Sequence, residues 1–147
     1  LCIASYHTMC TPAGSREENT NAYLKVMENP YVNIIGHPED GYIPVDFETL
    51  VESAKKNHVL LEVNNSSLKA AYYRLNTHEN MLTMLKLCRK LEVPVSVGSD
   101  AHFSGAVGGF PEAEKILLEA EMPERLIANT SVEKFLKFLE IRREMRS

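Results

Sequence analysis

Short runs of β-branched and apolar residues alternate with single amphipathic segments along this 147-residue chain, and that alternation limits what it can fold into. Parallel strands need a crossover of a dozen or more residues, and a helix is the usual filler. The strand-like runs are Cys2–Tyr6, Val32–Gly36, Val59–Val63, Val93–Gly98 and a brief Leu126–Ala128. Ser15 and Glu18 have capping-box spacing and begin a helix reaching about Glu28, with Tyr23, Val26 and Met27 as its apolar stripe. Asn29-Pro30 stops it. Asp46 caps a second helix, whose stripe is Phe47, Leu50, Val51 and Ala54. A third runs from about Thr77 to Leu91 with Met81, Met84, Leu85 and Cys88 on one side, and a fourth follows Pro111 with Ala113, Ile116, Leu117 and Ala120. Thr130 and Glu133 repeat the capping-box spacing ahead of a last helix, whose expected buried face is Val132, Phe135, Leu136 and Leu139. The fold class is therefore α/β, parallel strands alternating with helices, in a single domain of residues 1–147. A closed eight-stranded barrel takes about 250 residues, so this chain holds an open sheet or part of a barrel.

In such folds the chemistry sits at the carboxyl ends of the strands. Three runs end on metal-ligand residue types. The first runs into His7, the second into His37, and the fourth into Asp100 and His102. Parallel strands bring those ends together, whereas each residue alone reads as an ordinary turn or cap. Imidazole and carboxylate suit Zn²⁺, Mn²⁺ or Fe alike. Gly36 and Gly98 precede site residues and leave room for a ligand, a sharp turn or a bulge. Glu62, inside the third run, either faces solvent or lies near a metal. Asn64 and Asn65 either orient ligands or form a turn, the turn being preferred. Ser104–Gly109 offers a weak anion cradle before the Pro111 helix. His58 and His78 read as exposed and inert, and Arg142-Arg143-Glu144-Met145-Arg146 as the solvated end of a helix.

Net charge is −4, so a nucleic-acid partner is not expected. No apolar stretch reaches the ~20 residues of a membrane span. Three cysteines without CxxC spacing do not make a disulfide framework, which points to a reducing, cytoplasmic setting. No GxSxG elbow, P-loop or GxGxxG is present. The chain begins with Leu1 and enters a strand-like run at once, so it is expected to be a portion of a longer protein.

Ile34-Ile35-Gly36-His37-Pro38, Leu61-Glu62-Val63-Asn64-Asn65-Ser66-Ser67 and Gly98-Ser99-Asp100-Ala101-His102, with Ser5-Tyr6-His7, together resemble the PHP (polymerase and histidinol phosphatase) family. Within it they look most like the YcdX-type phosphatases. The resemblance implies the C-terminal portion of a distorted β/α barrel with up to three divalent metal ions. His7 and His37 would share one metal, Asp100 would serve a neighbour and His102 a third. It also implies a small phosphorylated substrate, hydrolysed at its phosphate ester. The family's opening HxH strand and its further His and Glu ligands are missing from this chain, which is therefore expected to be inactive alone. A partial barrel exposes sheet edges, so a homo-oligomer is expected. The competing expectations are a non-catalytic scaffold and an amidohydrolase-type metal hydrolase.

Overall fold

The computed structural model describes residues 1–69 and 74–145. Four parallel strands form one sheet: β1 (Ile3–Ser5), β2 (Ile34–Gly36), β3 (Leu60–Asn64) and β4 (Val95–Gly98), ordered β1-β2-β3-β4. The helices are α1 (Arg16–Glu28), α2 (Phe47–Asn57), α3 (Thr77–Leu91), α4 (Pro111–Glu119) and α5 (Val132–Glu144). Each crossover moves one place along the sheet, so every strand ends on the same edge. The local chemistry follows the sequence closely. Ser15 and Glu18 make a reciprocal capping box at α1, and the Asp46 carboxylate accepts from the Glu48 and Thr49 amides to start α2.

Alternation along the strands divides the core. Ile35, Leu61 and Val63 face α1 to α4 and join Met27, Leu50, Met84 and Ile116 in the main cluster. Tyr23 is buried there as well, while Val26 stays at the rim, 36% exposed. Ile34 and Leu60 point the other way, into a smaller cluster with Ala128 and Phe138. Glu62, two residues beyond Leu60, shares that second face. One face of the sheet is thus apolar toward its base and polar toward the strand ends.

Leu126–Ala128 is not a fifth strand. A single parallel bridge joins Ile127 to Val95, and the Ala128 amide donates to the Val95 carbonyl at 2.8 Å. Beyond it the Asn129 side chain replaces a strand. Its Oδ1 accepts from the Val97 amide at 2.9 Å and its Nδ2 donates to the Val97 carbonyl at 2.8 Å. The edge of β4 is satisfied by one amide side chain, so no further ladder forms. The cap of α5 also lies one residue later than the spacing predicts. Ser131 accepts from the Lys134 amide, while the Thr130 hydroxyl donates to the Ile127 carbonyl.

The buried face of α5 differs from its predicted stripe. Val132 and Leu136 are exposed, and the helix buries Phe138 and Arg142. Arg142, expected in solvent, is 3% exposed. Its guanidinium donates to the carbonyls of Met27, Asn29, Val32 and Asn57, the last turns of α1 and α2 and the entry to β2. A cation there satisfies carbonyls that a helix end leaves free and complements both dipoles. His58, next to Asn57, is half-buried rather than exposed. It caps α2 in the left-handed region at φ 51°, and its ring stacks on Phe138 with centroids 3.9 Å apart. His78 is exposed as expected and pairs with Glu119 at 2.9 Å.

Among the described residues, His58 Nε2 is buried without a hydrogen-bond partner. Burial lowers its pKa, the bond to the Phe138 carbonyl opposes this in part, and the Arg142 cation on α5 adds a smaller downward push. The unfolded chain therefore takes up a proton at His58 more readily than the folded one. The stability held by the neutral ring is intact above the ordinary value of 6.5 and falls as pH drops below it. Chemical denaturation of wild type and His58→Asn, from neutral pH down to about pH 5, checks this. Asn tolerates the left-handed backbone and does not titrate, so the variant is expected to lose stability less steeply. Parallel slopes would contradict the assignment.

Candidate functional site

The strand ends open into a cleft of about 580 Å³, lined by His7, His37, Asp100 and His102 together with Asp40, Glu62, Asn64 and Arg74. All four residues singled out from the sequence face this one space. Two are close. His7 Nε2 and His37 Nε2 lie 3.3 Å apart, with ring centroids at 4.7 Å and planes at 69°. Two nitrogens of a tetrahedral shell, each about 2.0–2.1 Å from a metal, stand at nearly that separation. The other two residues are not drawn into the pair. His102 is exposed and its Nδ1 lies 3.0 Å from the Asp100 carbonyl. Asp100 Oδ2 faces Arg74 Nη1 at 3.9 Å. Among the described residues, no group of three or more His, Cys, Asp or Glu is assembled to hold a metal ion.

The backbone sets these directions. Four of the described non-glycine residues with positive φ flank helices, but His37 (φ 35°) directly follows β2 and Asp100 (φ 48°) stands two residues past the end of β4. A left-handed residue after a strand turns its side chain out of the strand path, at a cost of about 1–2 kcal/mol. The chain carries that strain twice, both times at the cleft.

Glu62 sits between them. A Cβ on Gly36 would meet Ser5 Oγ and approach Glu62 Oε2 at 3.5 Å, and a Cβ on Gly98 would collide with Glu62 Oε1. Gly98 thus makes room for the Glu62 carboxylate, and Gly36 for the Ser5 hydroxyl. Glu62 Oε2 accepts from the His37 amide at 2.9 Å and from Asn64 Nδ2 at 3.2 Å. Burial raises its pKa, the His37 amide and Asn64 opposing. His37 is pushed down to about 4, chiefly by burial and then by the Arg74 cation. Its ring is therefore neutral at neutral pH, the form that offers a lone pair. Its Nδ1 is buried and has no hydrogen-bond partner among the described residues.

Two cleft groups, Arg74 and Asp40, and the buried Glu39 next to Asp40 in the chain escaped the sequence reading. Arg74, with a side chain 8% exposed, faces Asp40 and Asp100 at 3.9 Å each and donates to Ser67 Oγ. Asp40 is its partner. Glu39 is fully buried, and neither carboxylate oxygen has a hydrogen-bond partner among the described residues. Burial raises its pKa to about 7 against the pull of the nearby Ser67 hydroxyl and Arg74. The proposed anion cradle is corrected. The Glu112 and Ala113 amides at the start of α4 are already taken by Asn65 Oδ1, at 2.9 and 3.1 Å.

Proteins called "Probable phosphatase" are similar to nearly the whole chain. One from Clostridium novyi is 42% identical over 139 residues, covering 95% of this chain and 56% of that protein. One from Clostridium botulinum is 43% identical and one from Caldicellulosiruptor bescii 39%, over the same length. The chain spans somewhat over half the length of the curated relatives it matches. No family model matches it.

Gly98→Ala tests the packing around Glu62. The colliding atom is the end of a flexible side chain, so the fold is expected to stand while the carboxylate leaves the His37 amide. The His37 amide resonance in a ¹H–¹⁵N spectrum should shift in Gly98→Ala and stay put in Gly109→Ala, where an added Cβ meets only the Ala106 carbonyl at 3.5 Å. An unmoved His37 amide in both would refute the arrangement.

Proposed function

We propose that this chain carries part of the active site of a metal-dependent phosphatase of the PHP type, acting on small phosphate esters. The observation that carries the reading is the His7–His37 pair, two imidazole nitrogens from separate strands held 3.3 Å apart in a cleft that also contains Asp100, His102 and Arg74. The names of the relatives favour phosphate chemistry over C–N bond hydrolysis.

His7 and His37 fit one divalent cation as a pair, and Asp100 and His102 supply further donors to the same cleft. A cation held there would lower the pKa of water and neutralise charge growing on the phosphoryl oxygens. The protein's own groups do the rest. Glu62 fixes the His37 backbone so that its ring meets His7. Arg74, the buried cation of the cleft, offers planar N–H donors that match phosphoryl oxygens. Asp40 faces its Nε at 3.9 Å and balances its charge. The exposed rings of His7 and His102 stand at the mouth, where a small phosphate ester would enter.

Two assembled ligands fill only half of a tetrahedral shell, so binding is read before turnover. The chain is loaded with Zn²⁺ or Mn²⁺, freed of excess and measured for metal content. Bound metal is expected, reduced in both His37→Ala and Asp100→Ala; the same stoichiometry in both variants would overturn the assignment. Phosphate release from an aryl phosphate is the activity readout. Metal binding with cleavage of an amide panel instead would move the reading to an amidohydrolase. No metal and no phosphate release would leave a scaffold.

A further inference from the structure

The run Asn64–Ser67 is more than a turn. It leaves β3 beside β4 and ties itself to the segment carrying Asp100. The Asn65 amide donates to the Gly98 carbonyl at 2.8 Å. The Ser66 hydroxyl lies 3.0 Å from the Ser99 carbonyl and 3.3 Å from the Asp100 carbonyl. Its one proton is shared between them or alternates. On the far side Asn65 Oδ1 holds the start of α4, so the run is anchored from two directions.

Asp100 is the residue that needs such a hold. It has φ 48°, it is not glycine, and it is followed by an irregular stretch rather than by a helix. Among the described residues its Oδ2 faces Arg74, at 3.9 Å, too long to fix the carboxylate. What sets the carboxylate's direction is the peptide geometry on either side of its Cα. Ser66 is bonded to the carbonyls on both sides.

We infer that Ser66 is a positioning residue, whose hydroxyl locks the left-handed backbone of Asp100 and thereby aims its carboxylate into the cleft. This rests on the proposed metal-binding role of Asp100. Ser66 itself touches neither metal nor substrate. Without its hydroxyl both carbonyls lose a donor, the peptide planes around Asp100 can rotate, and the carboxylate samples directions that miss the cation. The loss is one of preorganisation, the kind that weakens metal binding when a group supporting a ligand is removed.

The test is a titration with Co²⁺ alone, followed by visible absorption, on wild type, Ser66→Ala, Ser66→Thr and Asp100→Ala. Circular dichroism shows whether each is folded. Ser66→Ala is expected to weaken Co²⁺ binding about 10–100-fold and to change the ligand-field bands toward those of Asp100→Ala. Ser66→Thr keeps a hydroxyl and should restore both affinity and spectrum. A folded Ser66→Ala that binds Co²⁺ with wild-type affinity and spectrum would overturn the inference while leaving the metal site standing. So would a folded Ser66→Thr as weak as Ser66→Ala, because the loss would then not be the hydroxyl's. Wild type that binds no Co²⁺ would remove the metal reading and this inference with it.

Discussion

A carboxylate on the middle of the sheet needs space, and one missing side chain provides it. Glu62 projects from β3 toward the strand ends, where Gly98 on the neighbouring β4 leaves the volume it occupies. Burying an acid there is unfavourable unless it is paired or hydrogen-bonded. The His37 amide and Asn64 meet that need. The His37 bond does double service. It satisfies the acid and pins the residue at which the backbone turns left-handed. His37 then reaches His7 because parallel pairing of β1 with β2 puts Ser5 beside Gly36. The histidine pair is a consequence of register, the space left by Gly98 and one half-buried acid.

The opposite end of the same sheet face is closed by α5. Leu60 and Ile34 meet Phe138, while Arg142 gathers the carbonyls at the ends of α1 and α2. A guanidinium can satisfy several acceptors at once through its rigid fork, which an ammonium cannot do as well. The sheet thus presents an apolar base under a helix and a polar mouth facing the cleft, two residues apart on β3.

Much of this was legible in the sequence. α1 and α2 announce themselves through caps and stripes and α3 and α4 through their stripes, whereas the sequence puts the cap of α5 one residue early and much of its buried stripe on the solvent side. His7, His37, Asp100 and His102 stand out through their places after β-branched runs. The rest lacked a periodic signal. Arg74, Asp40 and Glu39 come from irregular segments, where nothing local says which way a side chain turns. Arg142 sits in a run of charges whose composition reads as solvent-facing, and only the carbonyls of distant helix ends reveal its burial. Leu126–Ala128 has strand composition, but Asn129 supplies the edge bonds a strand would have made. Glu62 stood between two interpretations because its partner is a backbone amide, invisible to residue type.

The central claim is that His7 and His37 meet on one cation. X-ray absorption at the zinc edge, on the chain loaded with Zn²⁺, tests it most directly. Imidazole scattering from nitrogen ligands about 2.0–2.1 Å from the metal is expected, diminished in His7→Ala and His37→Ala alike. A spectrum of oxygen scatterers without imidazole, or one that neither substitution changes, would contradict it.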